Sequence, residues 1–103
     1  MNSNSKPMLP SLNMISKLFS IIQDRQANPK PGSYTNQLLA AGEDEIVKKV
    51  GEEAVEVILA VKGQSNARVI SEVADLLYHT LVLLAARGLT LAEVEAELER
   101  RHR

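Results

Sequence analysis

Apolar residues recur along most of the chain at three- and four-residue intervals, the spacing that places them on one face of an α-helix. Glycines, prolines and small polar residues interrupt this pattern and indicate where the helices begin and end. The pattern predicts a first helix from a Ser11 cap after Pro10 to about Gln26, and a short second helix from a Thr35 cap to Gly42. It predicts a third helix from Glu43 to Lys62, ended by Gly63, and a fourth from a Ser65 or Asn66 cap to about Arg87, ended by Gly88. A capping box of Thr90 and Glu93 predicts the last helix, LAEVEAELERR.

The composition supports the same fold class. Apolar residues make up 45% of the 103 residues and aromatic residues only 3%, so the core must consist of Leu, Val, Ile and Ala, as in packed helices. No sustained two-residue alternation indicates a strand. We therefore expect an all-α fold, a small bundle of four to five helices that forms one domain over residues 14–103. Residues 1–13, rich in Ser, Asn and Pro, are expected to form a disordered tail without signal-peptide character.

The charge balance and the absence of cysteine narrow the possible functions. A formal net charge of -1 gives no general electrostatic reason to expect binding to nucleic acid or to an anionic membrane. The longest apolar run, LVLLAA, is far shorter than the roughly 20 residues of a membrane span. Without cysteine the chain has no disulfide, thiolate nucleophile or cysteine-ligated metal. We expect a soluble, cytoplasmic protein.

The segment EVADLLYHTLVLLAAR is apolar around much of its helical circumference. A helix on the outside of one small bundle needs only one apolar face. We therefore expect this helix to be central or to lie at a subunit interface, and we expect a homodimer.

Acidic residues cluster on two successive predicted helices. Glu52, Glu53 and Glu56 fall within an arc of about 100° on the first helix. Glu72 and Asp75 are one turn apart at the edge of the apolar face of the second helix. If the two helices pack antiparallel, counting from the turn at residue 63 brings the two acidic groups to about the same level.

These acids have two interpretations. On an exposed helix face, like charges four residues apart cost only about 0.2 to 0.5 kcal/mol, so a solvated surface is possible. If the acids converge, each pair about 5 Å apart costs about 3 kcal/mol, and a cation is needed. Oxygen ligands without cysteine select Mg²⁺ or Mn²⁺. A di-iron site would require the motif Glu-x-x-His, but here Asp75 occupies the position three residues after Glu72 where that histidine would be. His79 lies one turn after Asp75, and we expect it to orient a carboxylate or a carbonyl group.

Several motifs occur together and in order, and they resemble a known family. GSYTNQLLAAGEDEIVKKVGEEAVEVILAVK and SEVADLLYHTLVLLAARGL are similar to segments of the phosphoribosyl-ATP pyrophosphohydrolase family, within the all-α NTP pyrophosphatase (MazG-like) superfamily. The resemblance implies Mg²⁺-dependent hydrolysis of phosphoribosyl-ATP to phosphoribosyl-AMP and pyrophosphate, the second step of histidine biosynthesis. It also implies that Glu53, Glu56, Glu72 and Asp75 are metal ligands, and that Glu52 is either a further ligand or the group that positions the attacking water.

Basic and hydroxyl side chains near these acids are candidates for binding the phosphates. Lysine suits phosphate as a compact positive charge, and a loop that opens a helix offers hydroxyl and backbone N-H groups. Their alternative roles are ion pairing, capping or exposure to solvent. The candidates are Lys48, Lys49, Ser33, Tyr34, Thr35, Arg25 and Lys30.

Two other functions remain open at this level. A house-cleaning pyrophosphatase for ordinary or damaged nucleoside triphosphates would share the metal-binding acids. A non-catalytic helical dimerisation module would have solvated acids and would not depend on a metal.

Overall fold

The computed structural model describes residues 10–102, and within this range every regular element is an α-helix, which confirms the all-α prediction. The elements are α1 (Pro10–Ala27), α2 (Tyr34–Ala41), α3 (Glu43–Gly63), α4 (Asn66–Ala86) and α5 (Leu91–Arg101). The tail predicted for residues 1–13 lies outside the described residues as far as residue 9, and helix α1 already includes Pro10.

Two of the four predicted N-caps are confirmed. The Ser65 hydroxyl accepts a hydrogen bond from the backbone N-H of Arg68, so Ser65 and not Asn66 caps α4. Thr90 and Glu93 form the predicted capping box at the start of α5. Beyond α4, Gly88 adopts a φ of 72°, a left-handed conformation that suits glycine and ends the helix.

Two predicted caps are wrong. Pro10 is already helical, as suits proline in a first turn, so Ser11 lies inside α1 rather than before it. At α2 the cap is Ser33, whose hydroxyl accepts a hydrogen bond from the backbone N-H of Asn36 at 3.1 Å. Thr35 lies inside the helix and is buried, because its hydroxyl pairs with the Tyr78 hydroxyl of α4.

Helix α4 is central, as its apolar circumference predicted. It packs against α1, α2 and α3, and its closest partner is α3, to which a two-residue connection joins it as a helical hairpin. The core is purely aliphatic apart from one phenylalanine, and α4 supplies the largest share of it. The buried core residues are Phe19 and Ile22 of α1, Leu38 of α2, Ile46 of α3, and Leu81, Val82 and Ala85 of α4.

Helix α4 is also long and apolar enough to cross a membrane by length and composition alone. That is weak support for a membrane span, because the core helix of a soluble bundle passes the same test. Here the helix packs against three neighbours and carries the acidic residues Glu72 and Asp75. Its composition therefore fits its position in the bundle core.

Candidate active site

The α3–α4 hairpin brings three of the predicted acids together. One carboxylate oxygen each from Glu53, Glu72 and Asp75 lies within 4.8 Å of the other two, a spacing at which one metal ion could contact all three. Glu72 is only 5% exposed, Glu53 is partly buried, and Asp75 is exposed. The group therefore reaches from the helix seam to the protein surface, where a substrate can approach.

The electrostatics of the group show the cost of this convergence. The pKa of Glu53 is raised above its ordinary value of 4.5, chiefly because burial disfavours the charged carboxylate and next because of the negative charge of Asp75. Glu72 raises this pKa further, whereas His79 and Lys49 lower it. A cation between the carboxylates would relieve the same repulsion.

Glu72 has a partner that sequence reasoning missed. Arg68, one turn earlier on α4, donates a hydrogen bond from Nη2 to Glu72 Oε2 and another from Nε to Gln64 Oε1. A buried carboxylate without a counter-charge is strongly destabilising, and Arg68 supplies that charge. An acid and a base four residues apart on a helix are a readable signal for this pair.

Glu52 and Glu56 do not belong to the group of close ligand atoms found within the described residues. Both side chains are exposed on α3. Glu52 Oε1 lies 3.7 Å from the Nζ atom of Lys49, an ion pair across one helical turn. Glu56 is one turn beyond Glu53 and shares its side of the helix. The broad acidic arc of α3 thus divides into one residue at the seam and two toward solvent.

The predicted phosphate-binding residues have different surroundings. Lys49 is partly buried near Glu53, whereas Lys48 is exposed. An open pocket of about 330 Å³ between α2 and α3 places Lys49 beside Tyr34 and Gln37. Its wall therefore carries one positive charge, Lys49, which also lies near Glu53, and one negative charge, Glu45.

The loop before α2 is held by its own polar contacts. Asn36 Nδ2 donates to the carbonyl oxygen of Arg25 at 2.8 Å, and the backbone N-H of Lys30 donates to Asn36 Oδ1 at 2.8 Å. Arg25 also pairs with Asp24 at 3.0 Å, and the Lys30 side chain is exposed. Asn36, in the first turn of α2, thus holds this loop, a role that the motifs did not single out.

The hydroxyls of the SYT segment are already engaged. Ser33 caps α2, and Thr35 pairs with Tyr78. Burial raises the pKa of Tyr78, and the nearby Tyr34 raises it further, while the hydrogen bond with Thr35 opposes them. The Tyr34 hydroxyl lies 3.0 Å from His79 Nε2. These contacts attach the start of α2 to α4.

Comparison with known proteins places these residues in one family. Residues 15–102 match a family described as Phosphoribosyl-ATP pyrophosphohydrolase. A Phosphoribosyl-ATP pyrophosphatase from Listeria welshimeri is 53% identical over 88 residues, which are 85% of this chain and 84% of that protein. The enzyme of the same name from Clostridium acetobutylicum is 48% identical over 89 residues, 86% of this chain and 81% of that protein.

A longer relative contains the same region. The Histidine biosynthesis bifunctional protein HisIE from Caldanaerobacter subterraneus is 47% identical over 92 residues, 89% of this chain but only 45% of that protein. The present chain therefore corresponds to less than half of the bifunctional protein.

Proposed function

The chain belongs to the phosphoribosyl-ATP pyrophosphohydrolase family, and on that basis we propose that it hydrolyses phosphoribosyl-ATP to phosphoribosyl-AMP and pyrophosphate in histidine biosynthesis. The observation that carries this proposal is the match over residues 15–102, which includes every acid of the candidate site. We also infer that this chain, as an enzyme of histidine biosynthesis, is cytoplasmic.

We further propose that Glu53, Glu72 and Asp75 bind Mg²⁺, which Mn²⁺ can replace. The donor set supports this choice, since three carboxylates offer only oxygen ligands and these suit hard divalent ions. Glu56, on the same side of α3, is a candidate fourth ligand that becomes available if its exposed side chain turns toward Glu53. When bound, the ion neutralises charge on the leaving pyrophosphate and makes a water molecule a stronger nucleophile.

The remaining side chains bind and orient the reactants. Lys49, between the pocket and the acids, attracts the substrate phosphates and holds Glu52 at 3.7 Å. Glu52 then either completes the metal site or accepts a hydrogen bond from the attacking water. Lys48, Arg25 and Lys30 are exposed or at the edge of the loop, so they suit the more distant phosphate of the substrate.

We propose that the protein is a homodimer. Apolar side chains on α3 and α4 remain exposed in the single chain, and large exposed apolar surfaces on soluble proteins mark interfaces. Ile70 is 71% exposed and Val61 is 62% exposed. The other exposed apolar residues of these helices are Val47, Val55, Ile58, Leu59, Val73 and Leu77.

A substrate panel tests the proposed activity. Purified protein is incubated with Mg²⁺ and either phosphoribosyl-ATP or the common deoxynucleoside triphosphates, and pyrophosphate release is measured. We expect a much higher kcat/KM for phosphoribosyl-ATP. A preference for deoxynucleoside triphosphates would instead indicate a house-cleaning enzyme, and release from neither would indicate a helical module without this activity.

A further inference from the structure

A hydrogen-bonded chain connects helix α4 with the start of α2 beside the candidate metal site. His79, only 6% exposed, lies one turn after Asp75 on α4. Its Nδ1 atom lies 2.8 Å from the backbone carbonyl oxygen of Asp75, and its Nε2 atom lies 3.0 Å from the Tyr34 hydroxyl. The two residues of this last contact are separated by 45 positions in the sequence.

The chemistry of these atoms fixes the direction of the hydrogen bond to Asp75 and, for a neutral imidazole, also that of the hydrogen bond to Tyr34. A carbonyl oxygen can only accept, so His79 Nδ1 must carry the proton that it donates to Asp75. In the neutral imidazole, Nε2 is then an acceptor, and the Tyr34 hydroxyl is the donor. With the imidazole neutral, the Tyr34 hydroxyl therefore donates its proton to His79 and does not have it free to donate to a phosphate.

The hydrogen bond to His79 fixes the position of a residue that lines a pocket. Tyr34 is the first residue of α2 and remains 44% exposed although its hydroxyl is engaged. It lines the pocket of about 330 Å³ together with Gln37, Lys49 and the acidic residue Glu45. The Tyr78 ring stacks near it, with centroids 6.1 Å apart and planes at 24°. One side of the aromatic ring is thus supported and the pocket is beside it.

We propose that His79 is a positioning residue that holds Tyr34 as an aromatic wall of the nucleoside subsite, at a fixed place relative to the carboxylates. The proposal rests on the proposed function and deepens it. The subsite suits a nucleoside phosphate, because an aromatic ring can pack on a base or a ribose, the Gln37 amide can form hydrogen bonds, and Lys49 attracts the phosphates. Tyr34 and His79 therefore determine how tightly the substrate binds, while the carboxylates determine turnover.

Two substitutions of His79 separate its two hydrogen bonds. The amide group of Asn is as many bonds from Cα as Nδ1 is, so His79→Asn keeps a donor for Asp75 and loses the acceptor for Tyr34. The amide group of Gln corresponds to Nε2, so His79→Gln keeps the acceptor and loses the donor. Tyr34→Phe removes the same hydrogen bond from the other side, so the aromatic ring is retained but no longer held by His79.

Steady-state kinetics with phosphoribosyl-ATP test the proposal. We expect Tyr34→Phe and His79→Asn each to raise KM about three- to tenfold, the effect of one net hydrogen bond, with kcat within about twofold of the wild type. His79→Gln is expected to keep KM close to the wild-type value. In the double variant, Tyr34→Phe should add nothing to His79→Asn, since both remove the same contact.

Thr80→Val is the matched control. The Thr80 hydroxyl donates to the carbonyl oxygen of Leu76 at 2.8 Å, a contact of the same kind as that between His79 and Asp75, one residue further along α4. Removing it should leave KM unchanged. If Thr80→Val raises KM as much as His79→Asn does, a general disturbance of α4 explains the effect and the proposal is wrong.

A spectroscopic measurement tests the contact without turnover. The chain has two histidines, so nitrogen NMR of His79 can be assigned by its loss in His79→Asn. We expect the Nδ1-H tautomer in the neutral ring, and the Nε2-H tautomer would contradict the proposal. No turnover by the wild type would overturn the proposed function and this inference with it, whereas an active wild type with an unchanged KM in Tyr34→Phe would overturn the inference alone.

Discussion

Replacing Asp75 with asparagine removes a charge from the candidate metal site with little change in shape. The carboxylate of Asp75 lies within 4.8 Å of ligand atoms of both Glu53 and Glu72, so the substitution removes two repulsive pairs. It keeps the contact to His79, because that contact uses the backbone carbonyl group of Asp75 and not its side chain. We therefore predict opposite effects on the protein without metal and on the protein with Mg²⁺.

The size of the stability change in the metal-free protein follows from the distance between the charges. At 4.8 Å two unit charges repel by about 0.9 kcal/mol in bulk water and by about 3.5 kcal/mol at an effective dielectric constant of 20. Asp75 is exposed, so the lower value applies, and Arg68 offsets part of the charge on Glu72. We expect Asp75→Asn to stabilise the metal-free protein by about 1 to 2 kcal/mol, which is about 5 to 10 °C in Tm for a domain of this size.

Thermal unfolding with chelator and with Mg²⁺ measures both effects. Wild-type protein should gain stability with Mg²⁺, by about 2.7 kcal/mol at a free concentration one hundred times the Kd. Asp75→Asn should begin at a higher Tm and lose most of the increase that Mg²⁺ causes. Glu99→Gln, which removes an exposed carboxylate from α5, is the control and should respond to Mg²⁺ like the wild type. The reasoning is refuted if Asp75→Asn is no more stable than the wild type in chelator, or if it keeps the full response to Mg²⁺.

Three further predictions concern pH, substrate binding and assembly. Because the folded-state pKa of Glu53 is raised above 4.5, its contribution to stability is present below that value and is lost as pH rises through the raised pKa. Thermal unfolding in chelator should show this loss, and thermal unfolding in saturating Mg²⁺ should not. A loss of equal size under both conditions would contradict the assignment. Lys49→Gln should raise KM for phosphoribosyl-ATP at least about tenfold in steady-state assays, since one charge-assisted contact to phosphate is lost, and an unchanged KM would remove Lys49 from the binding site. Ile58→Glu places a charge on the exposed apolar surface of α3 and should give a helical monomer in analytical ultracentrifugation, whereas an intact dimer would show that the interface lies elsewhere.

The fold could be predicted from the sequence because its signals are local. Helical spacing, the capping box at Thr90 and the glycine at position 88 act over a few residues, and the structure confirms them. The predicted cap of α2 was wrong because of a contact between residues that are distant in the sequence. Ser33 and Thr35 are both favourable cap residues, with serine somewhat preferred, but Thr35 faces Tyr78, which is 43 positions away in the sequence.

The candidate site, like the fold, could be predicted from the sequence only as far as local signals determine it. Helical geometry places Glu52, Glu53 and Glu56 on one broad arc, but it does not determine which of them faces the seam between α3 and α4. In the structure, only Glu53 of these three lies close to Glu72 and Asp75. The ion pair of Glu72 with Arg68 could have been read from its four-residue spacing. The contact between Tyr34 and His79 depends on how α2 packs against α4, so no motif could reveal it.

Pyrophosphate release from phosphoribosyl-ATP, measured with and without Mg²⁺, tests the central claim most directly. The assay uses metal-depleted protein, adds Mg²⁺ back in steps, and includes Asp75→Asn beside the wild type. We predict release that appears with Mg²⁺ in the wild type, stops with chelator, and is lost in Asp75→Asn although that variant is folded. Equal release with and without Mg²⁺, or undiminished release by Asp75→Asn, would contradict the assignment of the α3–α4 carboxylates as a catalytic metal site.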